Sequence, residues 1–501
     1  MSVAELVRSA SPSDAAVEHF DLLVVGAGIS GVGAAYHMQK QTPWASYVVL
    51  EAMESFGGTW WQHKYSGVRS DSDLYTFGYR FKPWTSAPIA SGEEILKYMR
   101  EVIEENDLGS HIRYRHKITS AVWSTEAKQW TVEGVRGEGE PFRITANFLW
   151  MCQGYYRHAQ GYLPDWPGME TFGGRIVHAQ TWPEDLDVTG KKVVVIGSGA
   201  TAATVAPAVA GHCEHVTVLQ RSPTYFYPGK NEDDLANQLR ELEIDETWIH
   251  EIIRKKRLHE QQLMTKRCIE EPEAVQAELL AGVKAFLGED YDVATHFTPR
   301  YRVWQQRLAF IPDGDLFRGI ASGKASMVTD HIERFTETGI LLKSGQTLEA
   351  DVVVAATGFD LSILGDIDFT IDGRPLNFAD SVTYRGMMFT GVPNLVWIFG
   401  YFRASWTLRV DLVADFVARL LQHMRDTGAR QVEVALRPED EGMALGPWLD
   451  PEDFNPNYIQ RSLHLMPKSG AKPEWRHNQD YWTEKDELPK IDLNDPAFRY
   501  S

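Results

Sequence analysis

The sequence predicts an α/β protein with two Rossmann-like dinucleotide-binding domains and a helical insert, on three observations. Two short apolar runs, residues 21–25 and Lys192–Ile196, each lead into a glycine-rich turn: Gly26-Ala27-Gly28-Ile29-Ser30-Gly31 and Gly197-Ser198-Gly199-Ala200-Thr201-Ala202. Each turn runs on into small and apolar residues at helical spacing. Each then reaches a β-branched run, Tyr47–Leu50 in the first case and residues 215–219 in the second, so both read as βαβ units. Between about 231 and 291 the texture changes to charged, helix-favouring sequence, with local charge runs at 254–256 and 270–273. That insert reads either as solvated amphipathic helices or as a cover over an active site.

Composition limits the class of molecule. The 501 residues carry 50 Lys+Arg against 69 Asp+Glu, a formal charge of −19, and at ~150 residues per domain the length suggests about three domains. With 43% hydrophobic and 24% charged residues the chain can bury a large core. A surface this acidic repels polyphosphate, so no nucleic-acid partner is expected. Cys152, Cys213 and Cys268 are too few and too scattered for a disulfide framework or a zinc site, which points to a reducing, cytoplasmic setting. No metal is expected. Residues 1–18 contain Glu5, Asp14 and Glu18 and no apolar core, and read as a flexible extension rather than a signal. The longest uncharged stretch, 193–211, approaches the ~20 residues of a membrane span. Its Gly197, Gly199 and Pro207 make it a strand followed by a helix instead. No transmembrane segment is expected, and peripheral membrane contact stays open, as does the oligomeric state.

Further along, Val352–Ala355 reads as a buried strand ending in Ala356-Thr357-Gly358, and residues 113–122 as another strand. Residues 407–423 read as an amphipathic helix with Leu408, Leu412, Phe416 and Leu420 on one face. The last ~70 residues are rich in Pro, Trp and acids, with weak periodicity and no repeat.

The two glycine turns differ in the residue at the tip of the next strand. Glycine permits a tight turn and lets backbone N–H groups approach a pyrophosphate at the helix N-terminus. In the first unit Glu51 stands at that tip, where a carboxylate accepts both hydroxyls of an adenosine ribose. In the second unit the strand ends in Leu219-Gln220-Arg221-Ser222, with no acid. A guanidinium and a hydroxyl suit a ribose 2′-phosphate, so this site favours NADPH.

Phe172-Gly173-Gly174, His178 and Trp182-Pro183 fit the pattern FxGxxxHxxxW followed by proline. This resembles the fingerprint of the Baeyer–Villiger branch of the class B flavoprotein monooxygenases, whose amine-oxidising relatives usually carry Tyr or Phe at the position of Trp182. Gly57-Gly58-Thr59-Trp60 through Tyr65, Gly67 and Asp71 resembles the second pattern of that branch, with Ser66 where the pattern has proline. Residues 65–75, 197–202, 295–300 and 329–339 are similar to the ethionamide-activating, EthA-like subgroup.

The resemblance covers nearly the whole chain and implies FAD and NADPH as cofactors, O₂ as co-substrate and a ketone or sulfide as small-molecule substrate. It implies that a peroxyflavin inserts one oxygen into a ketone to give an ester or lactone, with sulfides or thioamides oxidised too. Arg307 falls at the catalytic arginine, which keeps the peroxide deprotonated and stabilises the oxyanion, and Asp71 falls at its carboxylate partner. Where many relatives place a lysine as a phosphate contact, this chain has Gln306. Thr59, Trp60 and Ile118 fall at flavin contacts, and Arg69 and Ser70 beside Asp71 at contacts to the nicotinamide dinucleotide. His178 falls in a segment joining the two nucleotide domains, where a structural or hinge role fits. Residues 400–406 read as a wall of the flavin or substrate pocket, with core packing equally open for Trp406.

The implied organisation is residues 19–160 and 358–501 for the FAD domain and C-terminal region, 168–222 and 301–357 for the NADP domain, and 223–300 for the insert. Three alternatives compete with it. An N- or S-oxygenating flavin monooxygenase without ketone activity is opposed by Asp71, Arg307 and Trp182. A flavin disulfide reductase needs a CxxC pair, which the cysteines do not form. A non-catalytic flavin-binding scaffold has no reason to carry an Arg–Asp pair with two distinct nucleotide sites.

Overall fold

The structure is a computed structural model and describes residues 17–501; most of the extension read at residues 1–18 lies outside the described residues. Glu18 is not part of a loose end. It opens strand β1 (Glu18–Val25), pairs with Ile144 and forms an ion pair with Arg113.

From β1 the chain enters α1 (Ile29–Gln41) and returns as β2 (Tyr47–Leu50), parallel to β1 with Val25 opposite Leu50. Helix α2 (Gly92–Glu105) starts at a reciprocal Ser91/Glu94 cap and buries Ile95, Tyr98, Met99, Val102 and Ile103. Strand β3 (Ile112–Arg113) comes next, then the antiparallel meander β4 (His116–Ser124), β5 (Gln129–Arg136) and β6 (Glu140–Met151). The single strand expected over 113–122 is thus two strands. The chain breaks at Arg115, whose φ of 54° takes it out of the extended region.

The second unit begins with β7 (Arg175–His178) and β8 (Lys192–Ile196), then α3 (Ala200–Ala210) and β9 (His215–Gln220). Helices α4 (Asp234–Glu241), α5 (Glu246–Glu270) and α6 (Pro272–Leu287) form the insert. Its opening residues are not helical, because Phe226–Gly229 pairs in parallel with Ala309–Pro312. Strands β10 (Ala325–Thr329) and β11 (Val352–Ala355) complete an all-parallel sheet of order β10-β9-β8-β11-β7. The chain then re-enters the first sheet as β12 (Asp368–Ile371), β13 (Arg374–Pro375) and β14 (Leu395–Trp397). Among the described residues that sheet has nine strands, ordered β13-β12-β4-β5-β6-β1-β2-β3, with β14 also paired to β6.

Helix α7 (Trp406–Thr427) packs on α1 and buries Leu408, Leu412, Phe416 and Leu420, the face read from the sequence. One face of the large sheet is covered by α1, α2 and α7, and the other by a core containing Trp123, Trp130, Trp397 and Trp448. The insert docks on the first unit. Arg254 of α5 donates to the carbonyls of Tyr75 (2.8 Å), Thr76 (3.2 Å) and Gly78 (3.0 Å), the unpaired end of the turn Leu74–Phe77. Its outer face leaves Trp248 and Ile252 exposed. Among the described residues no helix is long and apolar enough to cross a membrane.

Candidate functional site

The carboxyl ends of both parallel arrays open on one cavity of about 1750 Å³, where ligands of open α/β sheets bind. Val25, Leu50, Cys152, Ile196, Leu219 and Ala356, at or just past the ends of β1, β2, β6, β8, β9 and β11, all reach its wall. Both glycine turns lie there, as do Thr59, Trp60, Arg69, Asp71, Ile118, Arg221, Ser222 and Arg307.

In the first turn Gly26, Gly28 and Ser30 line the cavity, whereas Gly31 does not. A Cβ on Gly31 would lie 1.8 Å from the Gly26 carbonyl oxygen; that glycine sets the close approach of α1 to β1 and leaves the helix N-terminus facing the cavity. Glu51 is 4% exposed. Its two oxygens accept the N–H groups of Ala27 (2.7 Å) and Met53 (2.8 Å). Burial raises its pKa, against the lowering effect of those bonds. Thr59 shares a 2.7 Å hydrogen bond with the Tyr156 hydroxyl.

In the second turn Gly197, Ser198, Gly199, Ala200 and Thr201 line the cavity, while Ala202 is buried in α3. Ser198 accepts a 3.0 Å hydrogen bond from Thr224. Arg221 and Ser222 are exposed at the rim. Gln306 donates to Asn455 at 3.3 Å.

Arg307 and Asp71 meet from opposite parts of the chain. Nε of Arg307 donates to Asp71 Oδ2 at 2.5 Å and Nη2 to Oδ1 at 2.9 Å, a bidentate fork. Nη2 also reaches Ser72 (3.3 Å) and Nη1 the Phe402 carbonyl (3.0 Å). Of the five N–H groups of a guanidinium these contacts use four, leaving one on Nη1. Burial would push the Asp71 carboxyl up, but Arg307 and Ser72 hold it below the usual carboxylate range. Burial opposes the Arg307 charge, and Asp71 more than restores it. The pair is a fixed cation on a fixed carboxylate.

Two of the expected nucleotide contacts lie differently. Arg69 lines the cavity, but its guanidinium is engaged by Asp315, at 2.5 and 3.2 Å. Ser70 is 4% exposed and is not on the wall; its Oγ accepts the Ala90 N–H and its own N–H donates to the Ala90 carbonyl. That backbone bridge fixes the approach to Asp71.

His178 closes β7 on the cavity wall, and its Nδ1 accepts the Gln180 N–H at 3.1 Å. Burial lowers its pKa, which keeps it neutral. Trp406 is also on the wall, with Nε1 donating to Ser30 at 2.8 Å and its ring stacked on Tyr155. Sequence reasoning does not find Tyr155 or Tyr458. Both line the cavity, and the charges of Arg307 and Asp71 act on both hydroxyls. Tyr155 lies just past the end of β6, a strand parallel to β1, so the strand-end rule reaches it; Tyr458 lies in the short helix Asn457–Ser462 of the C-terminal region, where the sequence has only weak periodicity.

The family model described as "Flavin-binding monooxygenase-like" matches residues 88–236, and that described as "NAD(P)-binding Rossmann-like domain" matches residues 24–86. The FAD-containing monooxygenase EthA of Mycobacterium tuberculosis is 44% identical over 97% of this chain and 98% of its own. Among solved structures, a steroid monooxygenase bound to NADP superposes with a TM-score of 0.75 at 23% identity, covering 96% of this chain and 99% of that one. An open form of cyclohexanone monooxygenase has a TM-score of 0.75 at 20% identity, covering 97% and 100%. Those two share the fold; the identity to EthA across almost the full length of both chains goes further, and the chain belongs to the EthA-like family of FAD-containing monooxygenases.

Proposed function

We propose that this flavin monooxygenase is a Baeyer–Villiger enzyme that uses FAD, NADPH and O₂. One oxygen atom enters the bond between a ketone carbonyl carbon and its neighbour, giving an ester or lactone. The other leaves as water, and NADPH supplies the two electrons. Sulfides or thioamides are the second substrate class. The observation that carries this reading is the bidentate Arg307–Asp71 pair on the wall of the one cavity that both glycine turns share.

The residues fit both cofactors. The first turn, with Gly26, Gly28, Ser30 and the close-packed Gly31, would hold the FAD pyrophosphate at the start of α1. Glu51 would take the ribose, and Thr59, Trp60 and Ile118 would line the rest of the site. The second turn would hold NADPH, with Arg221 and Ser222 at the 2′-phosphate. Gln153 Oε1 and His178 Nε2, buried polar atoms on residues of the wall that have no hydrogen-bond partner among the described residues, suit a polar ligand. When bound, FAD supplies the oxygen-activating chemistry and NADPH the hydride.

The chain supplies position and charge. Arg307 carries its positive charge at every working pH. Held on three sides, it offers its remaining N–H toward negative charge that develops on oxygen, with no reorganisation at the moment of reaction. Asp71 keeps the guanidinium from swinging away, and Tyr155 and Tyr458 add hydroxyls to the same wall.

The test is anaerobic reduction by NADPH and then mixing with O₂ and either a ketone or a sulfide. The wild-type protein is expected to form ester from the ketone. Arg307→Ala is expected to accept hydride normally and to lose ester formation by ~10²–10³-fold or more, the scale of a lost oxyanion donor. Near-normal ester formation by Arg307→Ala would remove Arg307 from the mechanism. A wild-type protein that makes sulfoxide and no ester would instead be an N- or S-oxygenating monooxygenase.

A further inference from the structure

Arg307 is held on one side by Asp71 and on the other by a main-chain carbonyl, that of Phe402. A carbonyl can hold a guanidinium in place only if the backbone that carries it is held. The chain around Phe402 is irregular, between β14 and α7, so no sheet or helix ladder does this. The Phe402 N–H donates instead to Oε1 of Gln479 at 2.7 Å, and Nε2 of Gln479 hydrogen-bonds to Nε2 of His477 and donates to the Gly400 carbonyl at 3.3 Å. These two main-chain partners, one donor and one acceptor, fix which way the amide points. Gln479 therefore clasps the peptides on both sides of Tyr401.

Neighbouring contacts make the clasp stiff. The Phe402 ring stacks on Phe454 at 4.4 Å. Arg403 donates to the Asp453 carboxylate (2.8 Å) and carbonyl (2.6 Å) and reaches the Trp304 carbonyl at 3.4 Å, three residues before Arg307. Tyr401 donates to Glu484 at 2.5 Å, and Glu484 pairs with the fully buried Arg409 at 3.1 Å. Gln479 itself is not on the cavity wall.

We propose that Gln479 is a positioning residue for Arg307: by fixing the two peptides that flank Tyr401 it fixes the Cα of Phe402, from which the Phe402 carbonyl extends, and so where the free N–H of Arg307 points. This rests on the catalytic role proposed for Arg307, and it makes the irregular C-terminal region part of the active site. A displacement on the 1 Å scale can cost 10²-fold in rate, so loss of the clasp is expected to act on oxygen transfer and not on cofactor binding.

The test compares the holoenzymes of Gln479→Leu, which loses both main-chain bonds and the contact with His477, Gln479→Glu, which keeps an acceptor for the Phe402 N–H, and Arg307→Ala. The probes are 2-octanone and thioanisole. Gln479→Leu is expected to keep its flavin and its rate of anaerobic reduction by NADPH within about 2-fold, with KM for 2-octanone little changed. Ester formed per NADPH should fall about 10-fold or more, with hydrogen peroxide making up the balance. The ratio of ester to sulfoxide should fall in Gln479→Leu and in Arg307→Ala alike, and Gln479→Glu should recover much of it. Loss of flavin and reduction in step with ester formation, or an unchanged ester-to-sulfoxide ratio, would overturn the proposal. If Arg307→Ala lowers that ratio and Gln479→Leu does not, only the role of Gln479 falls. If neither does, the catalytic role of Arg307 falls with it.

Discussion

Glu51 and Arg221 occupy equivalent places, just past the second strand of each βαβ unit, and differ in charge. Glu51 is already tied to two backbone N–H groups, which aims its carboxylate at the cavity and leaves lone pairs for a ribose diol. An arginine there would bury an unpaired cation beside the first glycine turn. Glu51→Arg is therefore expected to purify with little flavin while its second site still binds NADPH; full yellow colour per protein, measured by absorbance, would count against the assignment. Arg221 is exposed at the rim of the cavity, and a contact there to a 2′-phosphate, far from the nicotinamide end of the cofactor, would be uniform binding. Arg221→Ala should raise KM for NADPH by about 10-fold or more, the scale of a charge-assisted hydrogen bond, with kcat little changed and NADH kinetics unaffected. Equal use of NADH and NADPH by the parent enzyme would end that account.

The elements most legible in the sequence are those whose environment is uniform. Tyr47–Leu50, Lys192–Ile196 and Val352–Ala355 are buried parallel strands, apart from the half-buried Lys192, so they read as continuous apolar runs with the observed bounds. The meander β4–β6 is legible only at its first strand, because its residues alternate between faces, and the break that separates β3 from it depends on the backbone of Arg115. Tail contacts such as Gln479 with Phe402 are not legible at all, since they join single residues of irregular segments far apart in the chain. The docking of α5 belongs to the same class. Arg257 of α5 pairs with Asp73 (3.0 Å) and Asp233 (2.7 Å), and Asp73 also caps the turn Leu74–Phe77. Burial pushes the Asp73 carboxyl up to about 6, although Arg257 pulls it down. Between that value and its ordinary 3.8 the folded protein binds a proton that the unfolded chain does not. The contribution of Asp73 to stability is therefore fully present below the ordinary value and lost as pH rises through about 6. Its span is of the order of 3 kcal/mol at most. Asp73→Asn keeps the cap but cannot titrate. The difference in thermal midpoint between wild type and Asp73→Asn should change between pH 4.5 and 7.5 in favour of the wild type at the acid end; a difference independent of pH would refute the argument.

At the scale of the whole molecule, the chemistry proposed for the Arg307–Asp71 pair depends on how the two nucleotide-binding units are held, because Asp71 comes after the first glycine unit and Arg307 after the insert. The strap that carries Asp71, residues 65–71, is pinned to the second unit at three points. The Tyr65 ring is buried in the core of the second unit, Arg69 pairs with Asp315, and Gly67 lies on α3. Gly67 has φ of 76°, and a Cβ there would stand 2.6 Å from the Cβ of Ala208 and 3.2 Å from the Thr204 carbonyl oxygen. Alanine is thus strained in backbone and in space at once, and the strap must lift from α3. Gly137→Ala separates the two effects, since Gly137 has φ of 55° and a Cβ there would meet nothing within 4 Å among the described residues. Both variants should lose about 1 kcal/mol to backbone strain. Only Gly67→Ala should displace Asp71 from Arg307, and it should keep its flavin because neither the first glycine turn nor Glu51 is touched. Its ester yield per NADPH is expected to fall about 10-fold or more, with peroxide released in place of ester, while Gly137→Ala turns over as wild type. Normal coupling in Gly67→Ala would mean that the strap does not set the Asp71–Arg307 geometry, and that the two units keep their register through other contacts.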